Sequence, residues 1–152
     1  MKLETRSLVP ADLGATWDLL MDLPRASACV PGLQELVPDG EGVFRATLQA
    51  RVGPISLKFS GTIRILEQDR GKSEAQFRIE GADRRVGGSF KADMTVRLTP
   101  AAPGQTEMFI STDTTFMGKL GEFGQPIIRR KAGATIEEFA RNLAQELNAA
   151  QT

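Results

Sequence analysis

Few side chains in this sequence are suited to acid–base, nucleophilic or metal chemistry. The 152 residues include no histidine and no tyrosine, which removes the commonest general base, most transition-metal sites and the serine–histidine–aspartate triad. The only thiol is Cys29, at the end of a short predicted helix, and that is the wrong helix terminus for lowering a thiol pKa. We therefore expect Cys29 to be a buried packing residue, and the inventory favours a non-enzymatic function.

Two clusters of charge are candidates for ligand contacts. Residues 83–88, DRRVGG, fit either a phosphate-binding loop or an ordinary polar hairpin end, which is the commoner case. Residues 129–131, RRK, are the only compact basic run. Basic and acidic residues number 19 each, so no net field attracts nucleic acid, and we expect no nucleic-acid partner. The acidic residues show no spacing typical of a catalytic carboxylate pair.

Length and cysteine count bound the class of protein. A chain of 152 residues fits one domain over residues 1–152, large enough to bury about 70% of its unfolded surface. One cysteine cannot form an intramolecular disulfide, and no N-terminal segment resembles a signal peptide. We therefore expect a cytoplasmic protein. The apolar runs are much shorter than the roughly 20 residues that a membrane-spanning helix requires.

The pattern of residues 116–150 predicts a long C-terminal helix around which the preceding elements are arranged. Apolar residues recur there every three or four positions, which places them on one face of a long amphipathic helix. Charged and amide side chains occupy the opposite face. The apolar positions are Ile128, Ala132, Ile136, Phe139, Leu143 and Leu147.

The preceding chain predicts mostly strands. Alternation over residues 2–9 indicates a first strand, and helical spacing around Pro10 and Asp22 indicates helices over 11–21 and 22–29. From Leu33 onward the apolar period changes to two. Strands are predicted over residues 44–52, 55–65, 75–79, 90–98 and 108–116, with a Gly- and Arg-rich loop at 81–89 and a turn at 100–104.

This order of elements predicts an α+β fold in which a curved antiparallel sheet of about six to seven strands wraps around the long C-terminal helix. Two short helices follow the first strand. Small residues on the covered face of the sheet, together with Gly133 in the helix, either allow close approach of helix and sheet or leave a cavity between them. The small sheet residues are Ala46, Ala50, Gly61, Ala75 and Ala92.

Four segments resemble one protein family. Residues 16–20 (TWDLL), 28–32 (ACVPG), 52–55 (VGPI) and 117–124 (MGKLGEFG) are similar to the carbon monoxide dehydrogenase G-subunit family, a branch of the START-like (SRPBCC) helix-grip superfamily. The resemblance covers nearly the whole chain. Many members of that family continue into a hydrophobic or amphipathic tail, whereas this sequence ends at Thr152. Either such a tail has been removed or this member acts as a soluble domain.

The resemblance implies a function without catalysis. Such proteins hold a lipophilic molecule in an internal cavity and associate with a molybdenum hydroxylase-type carbon monoxide dehydrogenase. The expected ligand is a non-covalent quinone of the menaquinone or ubiquinone type. The expected role is to link the enzyme to the respiratory chain at the inner face of the cell membrane. The alternative is an adaptor that docks or matures the dehydrogenase with no ligand. A START-like enzyme is disfavoured because histidine and tyrosine are missing.

The same comparison and the inward-facing positions give the candidate site. No catalytic and no metal-binding residues are predicted. Met117, Leu120 and Phe123 are expected at a mobile mouth near the start of the long helix. The residues predicted to line the cavity and its mouth are Leu20, Cys29, Val30, Leu48, Phe59, Phe77, Ile79, Phe90, Met94, Met108, Ile110, Phe116, Leu120, Phe123, Ile128, Ala132 and Ile136.

Overall fold

A computed structural model describes the backbone of residues 1–151 and the side chains of residues 1–149. The chain forms strands, two short helices after the first strand, and one long C-terminal helix. In order, the elements are β1 (Lys2–Val9), α1 (Leu13–Met21), α2 (Leu23–Ser27), β2 (Leu33–Pro38), β3 (Val43–Val52), β4 (Ile55–Asp69), β5 (Glu74–Asp83), β6 (Gly88–Ala102), β7 (Gln105–Gly118), a 3₁₀ helix (Lys119–Phe123) and α3 (Gln125–Gln151).

The strands form one curved antiparallel sheet in the order β1-β7-β6-β5-β4-β3-β2. Successive strands from β2 to β7 are hairpin neighbours, and β1 closes the other edge by pairing along β7. The predicted fold class is confirmed: a sheet of this kind surrounds a long C-terminal helix. Inward-facing residues along the strands are apolar because only the concave face is covered by helices.

Several strands are longer than the apolar pattern predicted. The expected loop at 81–89 is wrong over most of its length, because β5 continues to Asp83 and β6 begins at Gly88. The turn predicted at 100–104 is likewise shorter, since β6 runs past Pro100 and a register shift there accommodates the missing N–H group. Both errors came from treating glycine and proline as strand breakers where ladder pairing continues.

The short helices begin and end inside their predicted bounds. The first starts at Leu13 rather than residue 11, because Asp12 is its N-cap and accepts a 2.8 Å hydrogen bond from the Ala15 amide. The second ends at Ser27, before Cys29. The long helix starts at Gln125, with Pro126 in its first turn, where a missing N–H group costs nothing.

The Asp83 carboxylate stabilises the turn between β5 and β6 from inside. It is 3% exposed and accepts hydrogen bonds from the Lys58 amide at 2.8 Å and the Arg85 amide at 3.0 Å. The Arg85 guanidinium adds a contact at 3.3 Å. This carboxylate therefore engages the backbone and side-chain donors of Arg85 within the turn itself, which favours the polar hairpin end over a phosphate-binding loop.

These hydrogen bonds give the fold a specific sensitivity to acid. The Lys58 amide first, then the Arg85 side chain, lowers the pKa of Asp83 from 3.8 to about 2. A carboxylate whose pKa is lower in the folded than in the unfolded protein stabilises the fold at pH values above its unfolded-state pKa. This stabilisation is lost as the pH falls through the folded-state pKa. Asp83→Asn should therefore lower the melting temperature at pH 7, and its difference from the wild type should shrink between about pH 4 and pH 2.

The measurement is a series of thermal melts from pH 7 to pH 2 on both proteins. The control is Asp93→Asn, which removes an exposed carboxylate paired with Arg78 at 2.9 Å. Exposed ion pairs contribute little, so this variant should melt close to the wild type at pH 7. If the difference in melting temperature between the wild type and Asp83→Asn did not change with pH, the stabilising role assigned to the ionised Asp83 carboxylate would be wrong.

Candidate ligand-binding cavity

The apolar interior is divided into two clusters. The larger one joins α1, the sheet and the C-terminal half of α3, and its centre includes Trp17, Met108 and Leu143. The smaller one lies around Leu57 and Leu120 near the β5–β6 turn and the 3₁₀ helix. Since several cavity-lining residues belong to one cluster or the other, the cavity lies between them.

The cavity has a volume of about 270 Å³. An apolar cavity of about 150 Å³ already stays dry and binds benzene, and sites for drug-sized ligands begin near 300 Å³. The volume therefore suits a ring system or a short branched hydrocarbon segment. The lining residues are Leu20, Met21, Leu23, Ala26, Ser27, Val30, Leu33, Leu36, Ala46, Leu48, Phe59, Gly61, Thr62, Ile63, Phe77, Ile79, Glu80, Gly81, Phe90, Met94, Val96, Ile110, Thr135, Ile136 and Phe139.

The walls come from four parts of the fold. Strands β2 to β7 supply the curved floor, the end of α1 and α2 supply one side, and a single turn of α3 around Ile136 supplies the roof. Phe59 and Phe90 meet edge to face, with ring centroids 5.1 Å apart. Gly81 lies beneath this pair, and a Cβ there would approach the Phe90 ring to 2.8 Å. The glycine thus leaves room for the aromatic wall.

Ten of the residues predicted for the site line this cavity. They come from both short-helix and strand segments, and one comes from α3. They are Leu20, Val30, Leu48, Phe59, Phe77, Ile79, Phe90, Met94, Ile110 and Ile136.

Two predicted lining residues belong to the larger cluster instead. Met108 is 0% exposed and Cys29 is 5% exposed, and neither contributes to the cavity wall. Burial, reinforced by Glu146 and opposed by Arg25, raises the pKa of the Cys29 thiol. Its sulfur contacts the Arg25 carbonyl at 3.9 Å. Cys29 is therefore a packing residue, as its position at the helix end suggested.

The three predicted mouth and wall residues near the start of α3 lie in the smaller cluster. Leu120 is 3% exposed there, and Phe116 and Phe123 are half-buried against it. A Cβ at Gly88 would come within 2.8 Å of Leu120, so this segment packs closely. Leu120 is thus not at an exposed mouth, whereas Met117 is 48% exposed.

Ile128 and Ala132 are also absent from the lining. They lie about two turns and one turn, respectively, before Ile136 on α3, where the helix packs along β1 and the Arg129 guanidinium donates to the Lys2 carbonyl at 2.8 Å. The apolar pattern shows which face of a helix is inward. It does not show which turn of that face lies over a packed strand and which lies over empty space.

The sequence prediction missed lining residues from β2 and from the second helix. Leu36, Leu23 and Ala26 line the cavity although no site was predicted there, and Leu33, expected only at the entrance, also belongs to the lining. The change of period after Leu33 was a usable signal for Leu36. Ala46 and Gly61 had been identified as small inward residues, and both line the cavity.

The described residues offer little chemistry at this site. Among the side chains of residues 1–149, no group of three or more Cys, Asp or Glu is arranged to hold a metal ion. Apolar side chains make up nearly the whole lining, and the only carboxylate among them, that of Glu80, lies 3.8 Å from the Lys91 ammonium on the other face of the sheet. The geometry suits binding of an apolar molecule rather than its conversion. Within the described part of the chain, no helix has the length and apolar character needed to cross a bilayer.

Comparison with known proteins agrees with the fold. The sequence model of the carbon monoxide dehydrogenase G-subunit (CoxG) family matches residues 7–148. Among solved structures, a conserved protein from Geobacillus kaustophilus is 20% identical with a TM-score of 0.90, covering 99% of this chain and 97% of that one. No protein with a curated description matches this chain.

Two further solved structures show how varied such relatives are. A START superfamily protein from Mycobacterium smegmatis is 14% identical with a TM-score of 0.68, covering 98% of both chains. The ZhuI aromatase/cyclase from Streptomyces sp. R1128 is also 14% identical, with a TM-score of 0.72, covering 100% of this chain and 96% of that one. Likeness at these identities establishes the fold alone.

Substitutions of two alanines on the inner face of the sheet test whether the cavity is present in the protein in solution. Ala46 lines the cavity, whereas Ala75 is 0% exposed in the larger cluster. In ligand-free protein, Ala46→Phe should leave the melting temperature unchanged or raise it, because the ring fills space. Ala75→Phe should cost about 1–3 kcal/mol, or roughly 2–4 °C per kcal/mol. Equal losses in thermal melts of the two variants would contradict the cavity.

Proposed function

This chain belongs to the carbon monoxide dehydrogenase G-subunit (CoxG) family, and we propose that it carries a lipophilic molecule, a quinone of the menaquinone or ubiquinone type, in its central cavity. The observation that carries the proposal is an apolar space of about 270 Å³ between two packed clusters. A ligand that fills such a space gains about 25 cal/mol for each Å² of apolar surface removed from water. Phe59, Phe77 and Phe90 supply flat surfaces against which rings or prenyl groups can pack.

The proposed role is non-catalytic. A reaction on the bound molecule requires a base, a nucleophile or a charge near the reacting atom. The side chains that enclose the cavity supply almost entirely hydrocarbon, and Cys29 lies outside it with a raised pKa. The protein therefore holds its ligand and releases it unchanged.

The proposed partner is a molybdenum hydroxylase-type carbon monoxide dehydrogenase. Family membership supports this partner, because the family is described as a subunit of carbon monoxide dehydrogenase. In this role the chain moves the quinone between the enzyme and the membrane, and so links the enzyme to the respiratory chain at the inner membrane face. The ligand-free alternative is an adaptor that only docks or matures the dehydrogenase.

The first two turns of α3 are the proposed contact with the membrane. Ile127 is 47% exposed and is followed by the basic run at residues 129–131. Arg130 and Lys131 form no ion pair with any other described residue. An exposed apolar side chain beside unpaired cations fits the surface of an anionic bilayer, where each cation contributes about 1 kcal/mol.

The carrier function is tested by quinone titration of protein stripped of lipid. A ubiquinone with a short prenyl chain should bind the wild type, and Ala46→Phe should weaken binding at least tenfold, because the ring and the ligand compete for one volume. The control is Ala102→Phe, an equal enlargement at an exposed position of β6, which should bind as the wild type does.

The outcome also separates the carrier from the adaptor. Mass spectrometry of lipid extracted from freshly purified protein should find a stoichiometric quinone or related isoprenoid. If the extract is clean from several expression hosts and the stripped wild type binds no quinone, the carrier function is wrong and the adaptor becomes the better account.

The membrane contact is tested by co-sedimentation with vesicles of phosphatidylcholine and phosphatidylglycerol. Replacing both Arg130 and Lys131 by Gln should remove about 2 kcal/mol and weaken binding roughly 30-fold. The control replaces Arg51 and Arg64, two exposed cations of the sheet, by Gln and matches the change in net charge. Equal loss in both double variants would show a general charge effect and contradict a specific contact.

A further inference from the structure

The polar side chains along the cavity wall are few, and their orientation limits what the ligand can present to them. Among the lining residues, those with polar side chains are Ser27, Thr62, Glu80 and Thr135. The remaining ones are apolar or glycine. Any hydrogen bond to an oxygen of the ligand must come from these four side chains or from the backbone.

The hydroxyl groups of the two helical residues, Ser27 and Thr135, already donate hydrogen bonds to backbone carbonyls. Ser27 Oγ donates to the Pro24 carbonyl at 3.0 Å, and Thr135 Oγ1 donates to the Lys131 carbonyl at 2.9 Å. A hydroxyl group has a single proton. Each of these groups therefore offers only acceptor lone pairs to the cavity, and a quinone carbonyl, itself an acceptor, gains nothing from them.

The two strand residues point away from the cavity. Side chains alternate between the faces of a strand, and the inward positions of β4 and β5 are taken by Gly61, Ile63, Ile79 and Gly81, which all line the cavity. Glu80, between two of them, lies beside Lys91 on the outer face, and its carboxylate is in any case an acceptor. Thr62 shares that outer face.

Most of the backbone around the cavity is also occupied by hydrogen bonds. Strands β3 to β7 pair in antiparallel ladders on both sides, with Gly61 opposite Ala46 and Gly81, and Ile79 opposite Ile63 and Ala92. The edge strand β2 pairs with β3 alone, and the unpaired N–H groups of an edge strand point along the sheet rather than toward its concave face. The residues from α3 lie in the helix interior, where each N–H group bonds to the carbonyl four residues earlier.

We infer that this cavity takes a hydrocarbon segment of its ligand, a ring face or prenyl units, and donates no hydrogen bond to the ligand's oxygen atoms, which stay outside it. The inference rests on the proposed carrier function and specifies which part of the ligand is enclosed. A carbonyl group buried here would lose its water without gaining a donor. The volume of about 270 Å³ is also too small for a complete long-chain quinone, so part of such a ligand remains outside.

A matched pair of probes tests the inference on the stripped protein. Menadione and 2-methylnaphthalene share one ring framework and one methyl group, and they differ in the two carbonyl groups. Calorimetric titration should show that 2-methylnaphthalene binds at least as tightly as menadione. Tighter binding of menadione would mean that the cavity supplies a donor, and it would overturn the inference while leaving the carrier function intact.

Two variants test whether the hydroxyl group of Thr135 or Ser27 turns to donate a hydrogen bond to the bound ligand. Thr135→Val keeps the shape of the side chain and removes its hydroxyl group, and Ser27→Ala removes the other. Both should change the affinity for menadione less than twofold. A tenfold loss in either variant would overturn the inference. Failure of both probes to bind the wild type would overturn the inference together with the carrier function.

Discussion

Burial of the C-terminal half of α3 is the constraint on which the rest of the structure depends. Leu143 and Leu147 are 0% and 3% exposed, in the same cluster as Trp17 of α1. The Asn142 amide also donates to the Cys29 carbonyl at 2.9 Å, which joins the helix to the end of the α2 segment. Because this half of the helix is fixed, the turn around Ile136 can span empty space without detaching from the sheet. The hydrophobic effect at one end thus permits a cavity in the middle.

Stability and ligand capacity place opposite demands on the same interior. A cavity forgoes the dispersion contacts of a close-packed core, so the fold must gain its stability elsewhere. Here the two clusters on either side are well buried, and the Asp83 hydrogen bonds fix the turn beside the smaller one. Gly133 is not required for close approach, since a Cβ at that position would meet no atom within 4 Å. Packing therefore does not explain the presence of this helical glycine.

The proposed binding function follows from the scarcity of polar and reactive side chains in the cavity wall. The sequence contains no histidine and no tyrosine, Glu80 is the only carboxylate among the lining residues, and the hydroxyl groups of Ser27 and Thr135 are hydrogen-bonded within their own helices. Affinity then comes from apolar area and shape, and discrimination between ligands of similar shape is modest. A protein of this kind can accept and release a lipophilic molecule readily, as the proposed exchange between a membrane and a dehydrogenase requires.

The sequence by itself determined the order of elements, the sheet and the inward face of the long helix. Periods of 2 and 3.6 residues are local properties, and residues such as Phe59, Phe77 and Ile136 could be assigned to the interior from them. Only the tertiary structure decided which inward residues meet protein and which meet space. Met108 and Ile110 are two apart on β7 with the same pattern, yet only Ile110 lines the cavity. The distance between helix and sheet is set by the sum of all contacts along α3 and by strand pairing between residues far apart in sequence, and no local period contains it.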